Sequence, residues 1–336
     1  MRKRLHRIAG LLLLLAAGLT ACSPGNEPRH QLPAAAAEAA VSNAQAKSQM
    51  ASVAVKKPGS KGFLWKITGG RNAGYLLGTI HVATEEMYPL DYDLQRAIAE
   101  SDHVALELDL TKVNQFKAMK LVNQAALLTD GSSLEDHVSS EDYVKFGQVL
   151  KERMGAGTAL FDKYEPWYAA MTLEALPAMK YMNTDGIDKY IAKQAHKHGK
   201  TVIELESVEQ QIGLFDHFSS ELQKLYFHQS IGNADQAAEG LDRLLDLWTA
   251  GEPAELDQLH AEYVKQGKQT MGKLFKDFDN SFLIRRNREI AEKIDGFLSN
   301  GETGTYMVAV GAMHMPGEQG LVSLLEEAGY KLEFII

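Results

Sequence analysis

Near opposite ends of the chain, Tyr75-Leu76-Leu77-Gly78-Thr79-Ile80-His81 and Met307-Val308-Ala309-Val310-Gly311-Ala312-Met313-His314 share one pattern: an apolar run, a glycine, two residues and a histidine. A glycine at a strand exit accepts a φ closed to side chains and lets another group approach the backbone. The histidine three residues on then falls on the loop at the strand end, where site residues concentrate. Taken singly, each motif is a turn glycine with a hydrogen-bonded histidine. As a pair, related by an internal duplication, Gly78 with His81 and Gly311 with His314 point to a shared site. Imidazole is the commonest neutral metal ligand, and two of them with a carboxylate leave positions open for water and substrate.

The carboxylates come from two further β-type runs, Val104-Ala105-Leu106-Glu107-Leu108-Asp109 and Val202-Ile203-Glu204-Leu205-Glu206. Alternation puts Glu107 with Asp109 on one face of the first strand and Glu204 with Glu206 on one face of the second. An acid in so apolar a run is costly unless it is paired or bound. Solvent-facing strand ends are the alternative, most of all for Glu204 and Asp109.

The elements that must position these groups follow from periodicity. Leu90, Leu94, Ala97 and Ile98 fall at helical spacing, and Val104 to Leu110 is expected to be a strand. Ile187, Tyr190, Ile191 and Ala195 mark a helix that Gly199 ends, before a strand at Thr201 to Leu205. Tyr306 to Val310 is a strand, Leu321 to Ala328 a helix stopped by Gly329, and Tyr330 to Ile336 a final strand. Gln210 to Leu298 is helical almost throughout. The expected fold is α/β: a duplicated strand-loop-helix-strand unit forming a mixed sheet, with a helical middle layer.

Residues 1–21 have the form of a signal peptide, with Arg2, Lys3, Arg4 and Arg7 ahead of an apolar run from Ile8 to Leu19 that is too short to span a bilayer. Leu19-Thr20-Ala21-Cys22 resembles a bacterial lipobox. Cys22 is the only cysteine in 336 residues, so an internal disulfide is excluded and lipidation of Cys22 is expected. Acyl chains at roughly 0.8 kcal/mol per buried CH₂ would hold the protein on a membrane, and Ser23 favours the periplasmic face of the outer membrane. The Ala-, Gln-, Ser- and Pro-rich stretch that follows lacks the apolar residues to offset its ordering entropy, which makes residues 22–61 a disordered tether and 62–336 the folded domain. The net charge of −9, without a basic cluster in the mature domain, argues against nucleic acid as a partner.

Leu64-Trp65-Lys66-Ile67, Tyr75 to Val82, Glu107-Leu108-Asp109, Glu165-Pro166-Trp167, Gly186-Ile187-Asp188, Leu205-Glu206-Ser207, Arg286-Asn287 and Val310 to His314 together resemble the TraB/GumN family (TraB/PrgY/GumN), which is related to the Tiki proteases. The resemblance runs in order from about residue 62 to 333. It implies a duplicated α/β unit of the erythromycin-esterase-like and haem-uptake-related kind. For the Tiki branch it implies a metal-dependent peptidase using manganese or cobalt, with zinc a third candidate. Carried over, it places His81, Glu107 and His314 first, with Glu206, Arg286 and Asn287 behind them. Glu107 would be ligand or general base, and Arg286 a donor to an oxyanion or a substrate carboxylate.

Other groups read as structural. His196-Lys197-His198 closes a helix, where positive charge favours the terminal carbonyls, and Asp188 opens one. Glu165-Pro166-Trp167 starts a helix with Trp167 packed inward, and for Arg286 the alternative to a site role is an ordinary helix-surface arginine in the basic run Arg285, Arg286, Arg288. His-Glu-x-x-His, Gly-x-Ser-x-Gly and phosphate-binding loops are missing. Two functions of different class remain: a cell-envelope hydrolase acting on peptides, and a lipid-anchored protein that holds a peptide or small molecule without chemistry.

Overall fold

The structure, a computed structural model, describes residues 59–336, without the side chain of residue 216. The expected signal segment, Cys22 and the tether up to residue 58 lie outside the described residues. Gly59 to Lys61, assigned to the tether by composition, already belong to the fold: Ser60 is buried and its carbonyl accepts from Asp91 N at 2.9 Å.

Six strands form one mixed sheet: β1 (Phe63–Thr68), β2 (Ala73–Thr79), β3 (His103–Leu106), β4 (Thr201–Glu204), β5 (Thr305–Gly311) and β6 (Lys331–Phe334), in the order β4-β3-β5-β2-β1-β6. Strands β4, β3, β5 and β2 run parallel, while β1 pairs antiparallel with both β2 and β6. The central strands β2, β3 and β5 are buried almost end to end, and the edges β4 and β6 are partly exposed. That is the expected consequence of apolar runs covered on both faces. The two strands carrying Gly-x-x-His lie side by side at the centre. Their register is offset by one, because Gly78 pairs with Val310 and Gly311 with Thr79.

Helices α1 (Tyr92–Glu100), α2 (Gln115–Ala126), α3 (Ser140–Met154), α4 (Pro166–Ala175) and α5 (Ile187–Lys197) fill the connections before β4. Five more, α6 (Val208–Asp216), α7 (Ser220–Asn233), α8 (Ala237–Ala250), α9 (Pro253–Met271) and α10 (Arg285–Ser299), form the helical stretch before β5, and α11 (Leu321–Glu327) precedes β6. Local chemistry starts them. Asp91 caps α1 by accepting from Asp93 N, Pro166 opens α4 at its first turn, and Ser207 with Gln210 makes a capping box at the start of α6. Trp167 is fully buried.

The run Val104 to Leu110 is a strand only through Leu106, after which the chain leaves the sheet. Glu107 and Asp109 therefore do not share a strand face.

Candidate functional site

Each of the four parallel strands ends on the same edge of the sheet, and each delivers one of the expected site residues just beyond its last residue: His81 after β2, Glu107 after β3, Glu206 after β4 and His314 after β5. The β3–β4 pairing continues past the strands, with Glu206 N donating to Glu107 O at 2.9 Å, which sets the two glutamates next to each other. Ligands of open α/β sheets bind outside the carboxyl ends of the strands.

Arg286, from the first turn of α10, sits between the two glutamates. Its Nη2 donates to Glu107 Oε2 at 2.7 Å and to Glu206 Oε2 at 2.7 Å, its Nε to Glu206 Oε1 at 2.6 Å, and its Nη1 to the Phe282 carbonyl at 3.1 Å. Phe282 lies in a π-helical segment, Asn280–Ile284, that leads into α10; such segments are common where a helix must re-aim a functional side chain. Arg286 is buried, not the surface arginine its basic neighbours suggested, and four of its five N–H groups are already committed. Gln211 Nε2 adds a bond to Glu206 Oε2 at 2.8 Å and a long contact of 3.5 Å to Glu107 Oε2.

Burial pushes the Glu107 carboxyl up, but Arg286, the two histidines and the Gly311 N–H, which donates to Oε1 at 2.6 Å, outweigh it and hold the group at about 2. The same desolvation works against the Arg286 charge, and the two glutamates reverse it, so its pKa lies above the usual arginine value.

The two histidines are held alike. His314 Nδ1 lies 2.5 Å from Asn287 Oδ1, and Asn287 Nδ2 donates to the Gln319 carbonyl at 2.7 Å. That second bond orients the amide, so Nδ1 carries the proton and Nε2 the lone pair, a tautomer assigned from the hydrogen-bond network. Burial and Arg286 push His314 down to about 4, leaving it neutral at pH 7, with Nε2 facing Glu107 Oε1 at 3.7 Å.

His81 Nδ1 pairs with Asp188 Oδ2 at 2.9 Å, and Thr79 Oγ1 donates to the other Asp188 oxygen at 2.5 Å. Desolvation lowers the His81 pKa, but Asp188 more than restores it and lifts it to about 9. The His81 side chain keeps 31% of its surface exposed, against 4% for His314 and 8% for Glu107, so the centre opens to solvent on the His81 side.

The motif glycines serve close approach rather than an unusual φ. Gly311 has φ −49° and ψ 136°, and neither it nor Gly78 has a positive φ. A Cβ on Gly311 would sit 3.3 Å from Glu107 Oε1, and one on Gly78 would sit 3.1 Å from Ala312 Cα, between the two motif strands.

Three contributors escaped the sequence reading. Asp188 does stand in the first turn of α5, but its carboxylate is spent on His81 and Thr79 rather than on the helix dipole alone. Gln211 carried no signal beyond its place after the α6 capping box. Gly186 could have been found by its position before Ile187-Asp188: a Cβ there would lie 2.0 Å from the His81 carbonyl oxygen, and Ile187 N donates to Ile80 O at 2.9 Å.

Asp109 and Glu204 belong elsewhere. Asp109 is 2% exposed, accepts from Thr111 and lies 2.6 Å from His196 Nε2, so His196 is the partner of a buried acid as well as a helix-end residue. Glu204 accepts from Asp109 N at 3.0 Å.

A groove of about 730 Å³ opens beside Asn287, walled by His260, Val264 and Lys268 from α9 and by Pro316 and Gln319 from the loop after His314. Its size is that of a small-molecule or peptide site.

Buried carboxylates, two oriented imidazoles and one shared arginine at the carboxyl edge of a mostly parallel sheet define an α/β protein built around a polar centre. The chain belongs to the TraB/PrgY/gumN family, which it matches over residues 63–333. It is 26% identical over 258 residues to "Uncharacterized protein YbaP" of Escherichia coli (strain K12), covering 76% of this chain and 89% of that protein. It is also 21% identical over 318 residues to "Metalloprotease TIKI homolog" of Nematostella vectensis, covering 81% of this chain and 67% of the relative. With "Metalloprotease TIKI1" of Danio rerio it shares 20% over 312 residues, 81% of this chain and 62% of the relative. No solved structure matches.

Proposed function

We propose that this protein is a metal-dependent hydrolase of peptides, with His81, Glu107 and His314 as the ligands of a divalent ion, manganese or cobalt before zinc. The observation that carries the reading is the common arrangement of the two histidines, each held through Nδ1 by an acceptor, Asp188 or Asn287. Outer-sphere acceptors of this kind orient metal-ligating imidazoles and leave Nε2 for the ion. The printed names of the TIKI relatives agree with it.

The donor chemistry fits a cation. His314 Nε2 and Glu107 Oε1 are two acceptors facing each other at 3.7 Å with no hydrogen between them, and two buried carboxylates share a single guanidinium, leaving net negative charge. Among the described residues no three His, Cys, Asp or Glu groups already surround one point at ligand distance; the Glu107–His314 pair is assembled, and His81 stands apart on the open side.

A bound divalent ion supplies Lewis acidity and lowers the pKa of a coordinated water toward neutrality. Glu107, held at about 2, is too weak a base to take a proton efficiently at neutral pH, which favours its role as ligand. Arg286 keeps Glu107 ionised and fixes both glutamates in place; with one N–H left uncommitted it is a positioning residue before it is an oxyanion donor. Asn287 and Asp188 set the ring planes of His314 and His81. The groove beside Asn287 offers room for a peptide. The lipobox at Cys22 supports a place for this activity on the periplasmic face of the outer membrane, with the lipid anchor as its membrane contact.

One observation favours the second reading, a protein that binds a peptide or small molecule without cleaving it: the Glu107 and Glu206 carboxylates are already committed to Arg286 through three hydrogen bonds. Metal analysis by mass spectrometry of the purified protein, beside a His81→Ala, His314→Ala variant of verified fold, separates the two. The hydrolase reading expects near-stoichiometric metal and metal-dependent cleavage of a peptide library in the wild type, both lost in the variant. Protein that stays metal-free after reconstitution and cleaves nothing would leave binding as the function.

A further inference from the structure

A second cavity, mostly apolar but reached by a few buried polar groups, lies within the helical layer, away from the strand ends. It is enclosed by α4, α7, α9 and the short helical turns after α9, and has a volume of about 40 Å³. Glu174, from α4, reaches it with 6% of its surface exposed, and its only hydrogen bond is from Tyr226 Oη to Oε2 at 2.8 Å. Asn233, from α7, is 4% exposed, and its Oδ1 has no partner at all. Thr270 Oγ1 donates to the Gln266 carbonyl at 3.0 Å, which leaves its lone pairs free to accept. The remaining wall is aromatic: Tyr226 packs against Phe278 at 5.6 Å and Tyr263 against Phe275 at 5.5 Å between ring centroids.

Such a lining is unusual for a core. A buried carboxylate with one partner and a buried amide oxygen with none each cost roughly 1–3 kcal/mol or more when left without donors. The one buried lining atom without a partner among the described residues, Asn233 Oδ1, is an acceptor, and an ionised Glu174 is a second, so a ligand bridging the two must donate to both. A primary ammonium has three N–H donors and no acceptor, matching Glu174, Asn233 and Thr270, and aromatic faces attract a cation further. Hard metal ions fit poorly, since they need several carboxylate or carbonyl oxygens, and the described residues hold no cluster of three metal-ligating groups. A volume of this size takes about three waters, the space of an aminomethyl head group and not of a guanidinium or a quaternary amine.

We propose that the Glu174–Asn233 cavity is a binding site for the primary ammonium group of a small alkylamine. This site is independent of the metal centre, since none of its lining residues contacts His81, Glu107, His314 or Arg286. Burial holds the empty Glu174 carboxyl near 8, so at neutral pH an arriving ammonium binds with release of the Glu174 proton to solvent and pairs with the carboxylate that is left.

The test is a thermal-shift and calorimetric titration of the full chain with n-butylammonium chloride, against sodium chloride, n-butanol and tetramethylammonium chloride. Glu174→Gln keeps the size of the side chain and an acceptor for Tyr226 Oη, and Asn233→Leu removes the orphan oxygen. Near-ultraviolet circular dichroism verifies both folds. The proposal expects saturable binding of n-butylammonium alone, weakened by about tenfold or more in Glu174→Gln through loss of the charge-assisted bond, with peptide cleavage or metal content unaltered. No saturable binding in the wild type would mean that the cavity holds water only. Equal binding of n-butanol, or binding retained in both folded variants, would equally overturn it.

Discussion

Replacing Arg286 with Met keeps much of the side-chain volume and removes the charge that two buried carboxylates share. Three charge-assisted bonds of 2.6–2.7 Å disappear, and Glu107 and Glu206 are left with side chains only 8% and 9% exposed. Stranding a buried charge in this way costs about 3–5 kcal/mol, a large share of the roughly 5–15 kcal/mol that holds a domain folded. The shift of Glu107 from 4.5 to about 2 leads to the same order, about 3 kcal/mol at 1.36 kcal/mol per unit. In the wild type this stabilisation is present above pH 4.5 and is lost as pH falls through 4.5 toward 2, because a depressed carboxyl must take up its proton against the fold. In Arg286→Met the sign reverses. Burial then raises the Glu107 carboxyl, so its neutral form favours the fold below 4.5 and its ionisation weakens it as pH rises. The difference between the two proteins should therefore be largest at pH 7 and shrink markedly by pH 4. Urea unfolding followed by tryptophan fluorescence at several pH values measures it. Adding Glu107→Gln and Glu206→Gln to Arg286→Met should recover most of the loss at pH 7. Equal midpoints at pH 7, or a gap that stays constant down to pH 4, would refute the electrostatic account of this cluster.

Other consequences can be checked alongside. Asn287→Ala removes the acceptor that fixes His314 Nδ1, and loss of such an outer-sphere partner should lower peptide cleavage or metal affinity by about 10–100-fold, while the buried groups left unpaired should cost roughly 1–3 kcal/mol of stability. Gly186→Ala puts a Cβ 2.0 Å from the His81 carbonyl oxygen; the loop must shift, at roughly 1–3 kcal/mol, and metal affinity should fall although no ligand has been changed. Urea denaturation and metal titration measure both effects in each variant, and full metal affinity in either folded variant would refute the positioning role assigned to that residue.

What could be read from the sequence was local. The strands β2 and β5, the Pro166 start of α4, and the paired Gly-x-x-His motifs all depend on residues within a few positions of one another, where periodicity and turn chemistry act directly. The α/β class and the family followed from these pieces in order. Glu107 stood out because an acid ending an apolar strand needs a partner, and that partner proved to be Arg286.

The tertiary structure alone decided which groups meet. Arg286 and Glu107 are 179 positions apart, and His81 reaches Asp188 across an equally non-local connection. Whether Glu107 or Asp109 enters the centre depended on where β3 ends, and whether Asp188 caps a helix or orients a histidine depended on Gly186 letting α5 start against the His81 backbone. A surface arginine and a buried one have the same local sequence; the π-helical segment before α10 and the register of β3 against β4 and β5 place this one between two glutamates. Sequence spacing governs contacts along one element, whereas strand order and crossover connections govern contacts between elements, and the polar centre of this protein is joined mainly by the second kind.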